Sequence, residues 1–184
     1  MSVPHVLMET AEAEAAIRRL AQEILDRPGS AASVVLLGIQ TGGVPVARHL
    51  ASEMGRLSGQ TVLSGDLDVS MHRDDLDHRL APAIHSTSVP ADISGKDVIL
   101  VDDVLCSGRT GRAALDALTD LGRPRRVQLA VLVDRGLREL PIQADFVGKV
   151  VTSQPGDRVD VLFGDADRVV QVVMSPGPTN GILP

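Results

Sequence analysis

The stretch VILVDDVLCSGRT, residues 98–110, constrains the fold of this chain more than any other part of the sequence. Four apolar residues lead into two adjacent carboxylates, Asp102 and Asp103, and a turn of small residues follows. A continuous apolar run is typical of a strand that is covered on both faces, as in a parallel sheet. Because parallel sheets bind ligands beyond the carboxyl ends of their strands, the two acids are predicted to lie at a binding site.

Strand and helix patterns alternate along the rest of the chain. Strands are predicted at residues 34–39, 62–70, 98–101, 127–133 and 145–151, and a terminal β-hairpin at residues 159–163 and 168–173. Helices are predicted from an N-cap at Thr10 to a stop before Pro28, at residues 44–54 and at residues 111–121. The alternation predicts an α/β fold, a mostly parallel twisted sheet with helices on both faces. We expect a single domain over residues 1–184, with a mobile lid loop at residues 72–90 and a loose tail at residues 174–184.

The turn at residues 106–110 has the features of a phosphate site. Backbone N–H groups and the dipole of the following helix attract an anion, and the hydroxyls of Ser107 and Thr110 add donors. Carboxylates instead accept hydrogen bonds from sugar hydroxyls. A ribose 5-phosphate therefore satisfies both the turn and the two acids. The glycine spacing matches neither a Walker A loop nor a dinucleotide turn. The alternative is an ordinary strand-to-helix loop whose acids cap the helix.

This stretch resembles the phosphoribosyl-pyrophosphate (PRPP) motif of the type I phosphoribosyltransferases. Three further segments resemble the PyrR family of pyrimidine operon attenuation regulators and uracil phosphoribosyltransferases: DVSMHRDDL at 68–76, GRPRRVQLAVLVDRGLRELPI at 122–142 and ADFVGK at 144–149. The resemblance implies the type I phosphoribosyltransferase fold. It also implies that uracil and PRPP react to give UMP and pyrophosphate, with Mg²⁺ held mainly by PRPP rather than by a cluster of protein ligands.

The resemblance assigns roles to individual residues. Asp102 and Asp103 would hold the ribose, and Arg73 on the lid would place positive charge near the leaving pyrophosphate. The turn after the first predicted strand would contact pyrophosphate, and the base pocket would lie around residues 133–136 and 146–147. The other implied substrate-binding residues are Thr41, Gly42, Gly43, Asp74, Val104, Leu105, Cys106, Ser107, Gly108, Arg109, Thr110, Arg135, Phe146 and Val147. For Phe146, stacking on a flat base competes with simple core packing.

Two positions depart from the family pattern. The pyrophosphate loop usually reads Thr-Arg-Gly, and Gly42 removes that cation, which favours an alternative reading as a nucleotide-sensing regulator with little catalytic activity. Cys106 stands where the family has Tyr and where purine enzymes have an Asp as general base. A cysteine thiol is a poor substitute for that Asp as a general base. This disfavours the remaining alternative, a purine phosphoribosyltransferase.

The regulatory role implied by the resemblance depends on binding pyr leader mRNA in response to UMP or UTP. Arg138 and Lys149 match basic positions of the family, and Arg18 adds a charge where Thr is usual. Gln22 and Gln143 replace a usual His and Arg, and because phosphate contacts dominate RNA affinity, this loss matters. The alternative is that this face is a dimer interface or plain surface. The resemblance also implies a homodimer or larger homo-oligomer.

Charge and cysteine content exclude several other classes of protein. A net charge of −6 argues against a surface that binds nucleic acid throughout. Cys106 is the single cysteine, so neither a disulfide framework nor a cysteine zinc site is expected. Without a secretory signal or an apolar run of about 20 residues, a cytoplasmic protein without membrane contact is predicted. The histidines and acids of residues 72–78 are expected to be solvated loop residues rather than a metal site.

Overall fold

A five-stranded parallel sheet forms the centre of the computed structural model, which describes residues 4–27, 34–73 and 86–177. Its strands are β2 (Val34–Ile39), β3 (Leu63–Leu67), β4 (Asp97–Leu105), β5 (Arg126–Asp134) and β6 (Phe146–Val150), in the order β3-β2-β4-β5-β6. The three α-helices of the described residues are α1 (Thr10–Leu25), α2 (Gly43–Ser58) and α3 (Arg109–Leu121). The predicted α/β class is confirmed.

The helices cover both faces of this sheet, as predicted. Leu20 of α1, Leu50 of α2 and Ile99 of β4 belong to one core cluster. Ala114 of α3 packs against Leu100 in a second cluster on the opposite face. Because successive side chains of a strand point to opposite faces, the apolar run of β4 supplies both clusters. The continuous hydrophobicity of that run therefore has a direct structural cause.

A second, antiparallel sheet has the order β1-β8-β7, with β1 at His5–Glu9, β7 at Arg158–Phe163 and β8 at Val169–Ser175. The predicted terminal hairpin is confirmed as β7–β8, while β1 is absent from the sequence-based prediction. Val172 of β8 belongs to the same core cluster as Leu20 of α1. The second sheet is thus packed on the α1 side of the central sheet.

Several predicted boundaries are corrected by local contacts. Glu9, not Thr10, is the N-cap of α1, and its backbone N–H donates to the carboxylate of Glu12 at 3.0 Å. The Thr10 hydroxyl instead donates to the carbonyl of Val170 at 2.5 Å, so it fastens the helix start to β8. Helix α2 continues past residue 54 and ends where Gly59 adopts a left-handed φ of 70°.

The polar segments lie partly beyond the described residues. Residues 74–85, which include Asp74 and most of the predicted lid, and residues 178–184 of the predicted tail are outside them. Strand β3 stops at Leu67, and Ser70–His72 forms a 3-10 helix rather than the end of a strand. Residues 174 and 175 belong to β8 rather than to a tail. Within the described part of the chain, no helix has the length and hydrophobicity needed to cross a membrane.

Candidate active site

Asp102 and Asp103 lie inside β4, not after it, because the strand runs on to Leu105. The neighbouring strand β2 pairs with β4 only as far as Val101, whereas β5 accompanies β4 to its end. The last part of β4 therefore projects past β2 and borders the loop that follows β2. The two acids lie at the carboxyl edge of the sheet, as the sequence predicts. They belong to the strand itself, however, and not to the turn that follows it.

The loop after β2 lies directly against β4 because residues 42 and 43 are glycines. A Cβ atom placed on Gly42 would be 2.1 Å from Oδ2 of Asp103, and one on Gly43 would be 2.2 Å from the carbonyl oxygen of Val101. Neither distance is compatible with a side chain unless β4 or the acid moves. The peptide bond between Gln40 and Thr41 in this loop is cis. The structure thus brings the predicted pyrophosphate loop and the predicted ribose acids into contact.

The two acids differ in their surroundings. Asp102 is 8% exposed, and its Oδ1 accepts the backbone N–H of Asp103 at 3.0 Å. Burial, followed by the negative charge of Asp103, raises the pKa of Asp102 well above its ordinary value, while the charge of Arg73 acts in the opposite direction. Asp103 accepts the backbone N–H of Val104 at 2.8 Å and faces Gly42. A polar ligand at this edge would therefore meet one shielded and one more accessible carboxyl group.

The phosphate turn has the geometry of an anion site. Gly108 is the N-cap of α3 and adopts a left-handed φ of 92°, which other residues adopt only with strain. Helix α3 begins at Arg109, earlier than predicted, and its first helical bond runs from the N–H of Arg112 to the carbonyl of Gly108 at 3.0 Å. The N–H groups of residues 110 and 111 precede that bond and point toward the start of the helix.

A loop after β5 closes over the phosphate turn and is held there by Arg138. Its guanidinium donates to the carbonyl of Ile142 at 2.8 Å, to the carbonyl of Cys106 at 2.8 Å and to the carboxylate of Asp134 at 2.5 Å. The carbonyl of Ser107 accepts two further bonds from this loop, from the N–H groups of residues 139 and 140. The loop and the turn therefore form one hydrogen-bonded unit.

Asp134 lies within the range predicted for the base pocket, residues 133–136, but the resemblance assigns it no role of its own. Burial raises its pKa, but the hydrogen bond from Arg138 and the N–H of Gly136 outweigh this effect and lower the pKa below its ordinary value. The signal was present in the sequence, since Asp134 directly follows the apolar residues 129–133 as Asp102 follows residues 98–101. The carboxylate is thus ionised and serves to orient the Arg138 side chain.

A cleft of about 550 Å³ lies between this loop and the end of β6. Arg135, a predicted base-pocket residue, borders the cleft, and its Nε donates to the Ser153 hydroxyl at 2.9 Å. The residues that line the cleft are Asp134, Arg135, Gly136, Leu137, Arg138, Gln143, Ala144, Val150, Val151, Thr152 and Ser153.

The predicted stacking role of Phe146 requires a correction. Its ring is 2% exposed within the core cluster shared with α1, and the guanidinium of Arg27 lies 4.3 Å from the ring centroid. Its neighbour Val147 packs on the other face, in the α3 cluster. The first residue of β6 thus points into the core, and the alternative of core packing is the correct reading for Phe146.

Comparison with known proteins agrees with this geometry. The phosphoribosyl transferase domain family matches residues 7–157. The protein named bifunctional protein PyrR from Chloroflexus aurantiacus is 49% identical over 175 residues, which cover 95% of this chain and 96% of the relative. Its counterpart from Leifsonia xyli subsp. xyli is 48% identical over 180 residues, covering 95% and 98% of the two chains. The chain belongs to the PyrR family.

Solved structures show the same fold at much lower sequence identity. Hypoxanthine phosphoribosyltransferase from Trypanosoma cruzi, in complex with the product IMP, has a TM-score of 0.69 and 18% identity and covers 91% of each chain. A hypoxanthine phosphoribosyltransferase from Staphylococcus aureus has a TM-score of 0.66 and 16% identity, covering 95% of this chain and 93% of its own. The predicted phosphoribosyltransferase fold is confirmed. The relation to purine enzymes is one of fold alone.

The basic residues predicted for RNA binding in this PyrR family member occupy different settings. The Arg18 Nε lies 3.6 Å from the carboxylate of Glu53, with 59% of the Arg18 side chain exposed. Lys149 donates to the carbonyl of Leu7 at 2.6 Å, so it fastens β6 to β1. Arg138 is engaged in the loop over the phosphate turn. Arg18 lies on α1 and Lys149 lies 3.8 Å from the carboxylate of Glu12 on the same helix, whereas Arg138 belongs to the candidate active site.

The donor set of this PyrR family member suits a magnesium ion that takes most of its ligands from the substrate. Among the residues that the structure describes, no group of three or more His, Cys, Asp or Glu side chains could enclose a metal. Asp102 and Asp103 together offer hard oxygen donors at the carboxyl edge. Mg²⁺ in phosphate-transfer sites is commonly held by one or two carboxylates plus substrate phosphates and water.

Proposed function

We propose that the protein transfers the phosphoribosyl group of PRPP to uracil, which yields UMP and pyrophosphate. One observation carries this proposal: the acids of β4, the glycine loop after β2 and the phosphate turn of α3 meet at one edge of the sheet. Membership of the PyrR family supports the choice of a pyrimidine base over a purine. Under this proposal Asp102 and Asp103 bind the ribose, and the turn at residues 106–110 binds its 5-phosphate.

The reaction exchanges one bond at C1 of the ribose for another. A ring nitrogen of uracil forms the new bond to C1 while the bond from C1 to the pyrophosphate oxygen breaks with its electron pair on oxygen, and the nitrogen releases its proton to water. Positive charge then develops on the ribose and negative charge on the leaving group. The acids of β4 stabilise the positive charge on the ribose. Backbone N–H groups of the loop after β2, together with Arg73, stabilise the negative charge on the leaving group.

Magnesium fits this scheme as a partner of the substrate. Mg²⁺ bound to the diphosphate would neutralise part of the charge that builds up on the leaving group, with Asp102 and Asp103 as its protein contacts. The protein's own contribution is orientation: Gly42 and Gly43 bring the loop after β2 within contact distance of β4, so the leaving group and the ribose are held together.

The test compares PRPP-dependent UMP formation by the natural protein with that of the double variant Asp102→Asn, Asp103→Asn. We expect the double variant to lose activity by at least about a hundredfold, since each amide offers one oxygen fewer to accept hydrogen bonds from the ribose hydroxyls. The variant Glu23→Gln, an exposed carboxylate of α1, serves as the matched control and should retain activity. Full activity in the double variant would overturn the ribose assignment.

We also propose a regulatory function, in which the protein binds the leader mRNA of a pyrimidine operon and responds to UMP or UTP. The word "bifunctional" in the names of its relatives and the exposed cation Arg18 on α1 favour this second role. Binding of a leader transcript should tighten in the presence of UMP by about 5- to 150-fold, the usual range of linked coupling. The variant Arg18→Ala should weaken RNA binding without changing UMP formation. An RNA affinity that responds neither to UMP nor to Arg18→Ala would refute the proposal.

We propose further that residues 1–184 form one domain that acts in the cytoplasm as a homodimer or larger homo-oligomer. The two sheets share the core cluster around α1, which supports a single domain. Light scattering of the purified protein measures the oligomeric state, and a monomer at micromolar concentration would contradict that part of the proposal.

A further inference from the structure

The segment that carries Arg73 toward the site is a well-formed turn. Asp68 accepts hydrogen bonds from the backbone N–H of Ser70 at 2.8 Å and from its hydroxyl at 2.6 Å. The N–H of His72 donates to the carbonyl of Val69 at 3.0 Å, and Val69 is 2% exposed. The backbone is therefore fixed up to the residue that precedes Arg73.

The returning chain is anchored at the same place. Ser88 forms an antiparallel bridge with Asp66 of β3, with N–H to carbonyl distances of 2.9 and 2.8 Å. The N–H of Asp68 donates to the hydroxyl of Thr87 at 3.1 Å. The turn at residues 68–72 is thus braced by β3 on one side and by residues 87 and 88 on the other.

Helix α3 holds the same turn from the side of the phosphate site. Nη2 of Arg112 donates to the backbone carbonyl of His72 at 2.8 Å, and its Nη1 donates to Asp116 at 2.9 Å. Asp120, one helical turn further along, lies 3.6 Å from the imidazole of His72. Three residues on one face of α3 therefore contact the turn or one another at spacings of four residues.

The position of Arg112 links two parts of the candidate site. It is the fourth residue of α3, and its own N–H makes the first helical bond after the phosphate turn. The residue that follows the latched His72 is Arg73, the cation proposed to stabilise charge on the leaving group. The latch thus connects the start of the phosphate helix to the backbone that carries Arg73.

We propose that Arg112 is a positioning residue, which holds the His72 carbonyl and thereby sets where Arg73 lies relative to the acids of β4. The inference rests on the proposed phosphoribosyl transfer, in which Arg73 stabilises charge on the leaving group. Arg112 acts through the backbone of residue 72 and not through contact with substrate.

A double-mutant cycle tests this role. Arg112→Ala should lower kcat for UMP formation by about tenfold to a hundredfold, the size of effect expected from displacing a catalytic group by about 1 Å. The KM for PRPP should change by less than about threefold, since the phosphate turn itself is retained. In a background of Arg73→Ala, the further change Arg112→Ala should have less than about a twofold effect, because coupled residues are not additive.

Two variants serve as controls. Asp116→Ala removes the surface partner of Arg112 and leaves the bond to His72, so its kcat should stay within about twofold of the natural protein. Arg112→Lys keeps the positive charge and should give an intermediate kcat. It takes the place of the alanine variant in the cycle if that variant folds poorly. The proposal is overturned if Arg112→Ala lowers kcat by the same factor with and without Arg73→Ala. It is also overturned if Asp116→Ala lowers kcat as much as Arg112→Ala does.

Hydrogen exchange separates this inference from the proposed activity. Amides of residues 69–73 should exchange faster in Arg112→Ala than in the natural protein, and Asp116→Ala should leave them unchanged. If the natural protein forms no UMP, the proposed function fails, whereas the exchange measurement still decides whether Arg112 holds the turn at residues 68–72. Unchanged exchange in Arg112→Ala would overturn the latch whatever the activity.

Discussion

The carboxylate of Asp103 fills the space that a side chain at residue 42 would need, because a Cβ atom on Gly42 would lie 2.1 Å from Asp103 Oδ2. The acid is held in this position by the N–H of Val104, which donates to its Oδ1 at 2.8 Å. The missing arginine of the pyrophosphate loop and the location of Asp103 are therefore linked. In this PyrR family member the glycine brings a carboxylate, rather than a cation, to the loop after β2.

Substitution of Gly42 by alanine should displace the Asp103 carboxylate and weaken PRPP binding. The added methyl group cannot coexist with the present rotamer of Asp103, and the acid is bonded to its own strand on the other side. Steady-state kinetics should show a rise in the KM for PRPP of about tenfold, the equivalent of about 1.4 kcal/mol.

The control for this change is the same substitution in a protein that lacks the Asp103 carboxylate. In Asp103→Ala, the additional change Gly42→Ala should have less than about a twofold effect, since the colliding atoms are gone. A tenfold effect of Gly42→Ala in both backgrounds would show that loop conformation, and not contact with Asp103, decides PRPP binding.

Asp102→Asn should stabilise the fold at neutral pH while it removes activity. The pKa of Asp102 is higher in the folded protein than its ordinary value of 3.8, so ionisation of this buried acid costs the folded state free energy. Below pH 3.8 the acid is protonated in both states, and no penalty exists. The penalty grows as the pH rises toward the folded-state pKa, and the neutral amide avoids it.

Urea denaturation at several pH values measures this effect. The midpoint of Asp102→Asn should exceed that of the natural protein at pH 7, and the difference should shrink as the pH falls to about 4. A variant that is less stable than the natural protein at pH 7 would show that the Asp102 carboxylate contributes a net stabilising contact.

Removal of Arg138 should loosen the loop that covers the phosphate turn. Arg138→Ala leaves the carboxylate of Asp134 and the carbonyls of Cys106 and Ile142 without their donor. We expect the free energy of unfolding to fall by about 2 kcal/mol and the KM for PRPP to rise, as measured by urea denaturation and steady-state kinetics.

Glu139 offers a matched control on the same loop. Its exposed carboxylate pairs with Arg109 at 2.9 Å, and exposed pairs contribute little, so Glu139→Ala should cost less than about 1 kcal/mol. Equal effects of the Arg138 and Glu139 variants would contradict the view that the Arg138 guanidinium is the clamp.

Phe146→Leu should affect stability and not the recognition of the base. The ring is buried in the core cluster beneath α1, so a smaller apolar side chain should cost about 1 kcal/mol of folding free energy. The KM for uracil should stay within about twofold of the natural value. A tenfold rise in that KM, with stability unchanged, would restore the stacking role expected from the sequence.

The sequence specified the central sheet and its helices well, because their patterns are local and strong. The apolar runs that became β2, β4 and β5 are continuous, as burial on both faces requires. Strand β1 was not predicted, since its five residues are held by pairing with β8, more than 150 residues away in the chain. A pairing with so distant a segment leaves no local signal in the five residues of β1, whereas β8 was predictable from its hairpin with β7.

The candidate site was predictable where one short motif contains it. The acids of β4 and the phosphate turn are adjacent in sequence, so their chemistry could be read together. The clamp of Asp134 and Arg138 depends on the carbonyl of Cys106, and the latch of Arg112 depends on the carbonyl of His72. Backbone acceptors carry no residue identity, so neither contact could be recognised before the fold was known.

The most direct test of phosphoribosyl transfer to uracil offers labelled uracil, hypoxanthine and orotate separately to the purified protein with PRPP and Mg²⁺. The site described above predicts UMP from uracil and no nucleotide from the other two bases. Nucleotide formed from hypoxanthine, or no product from any base while PRPP still binds, would contradict the proposed uracil phosphoribosyltransferase activity.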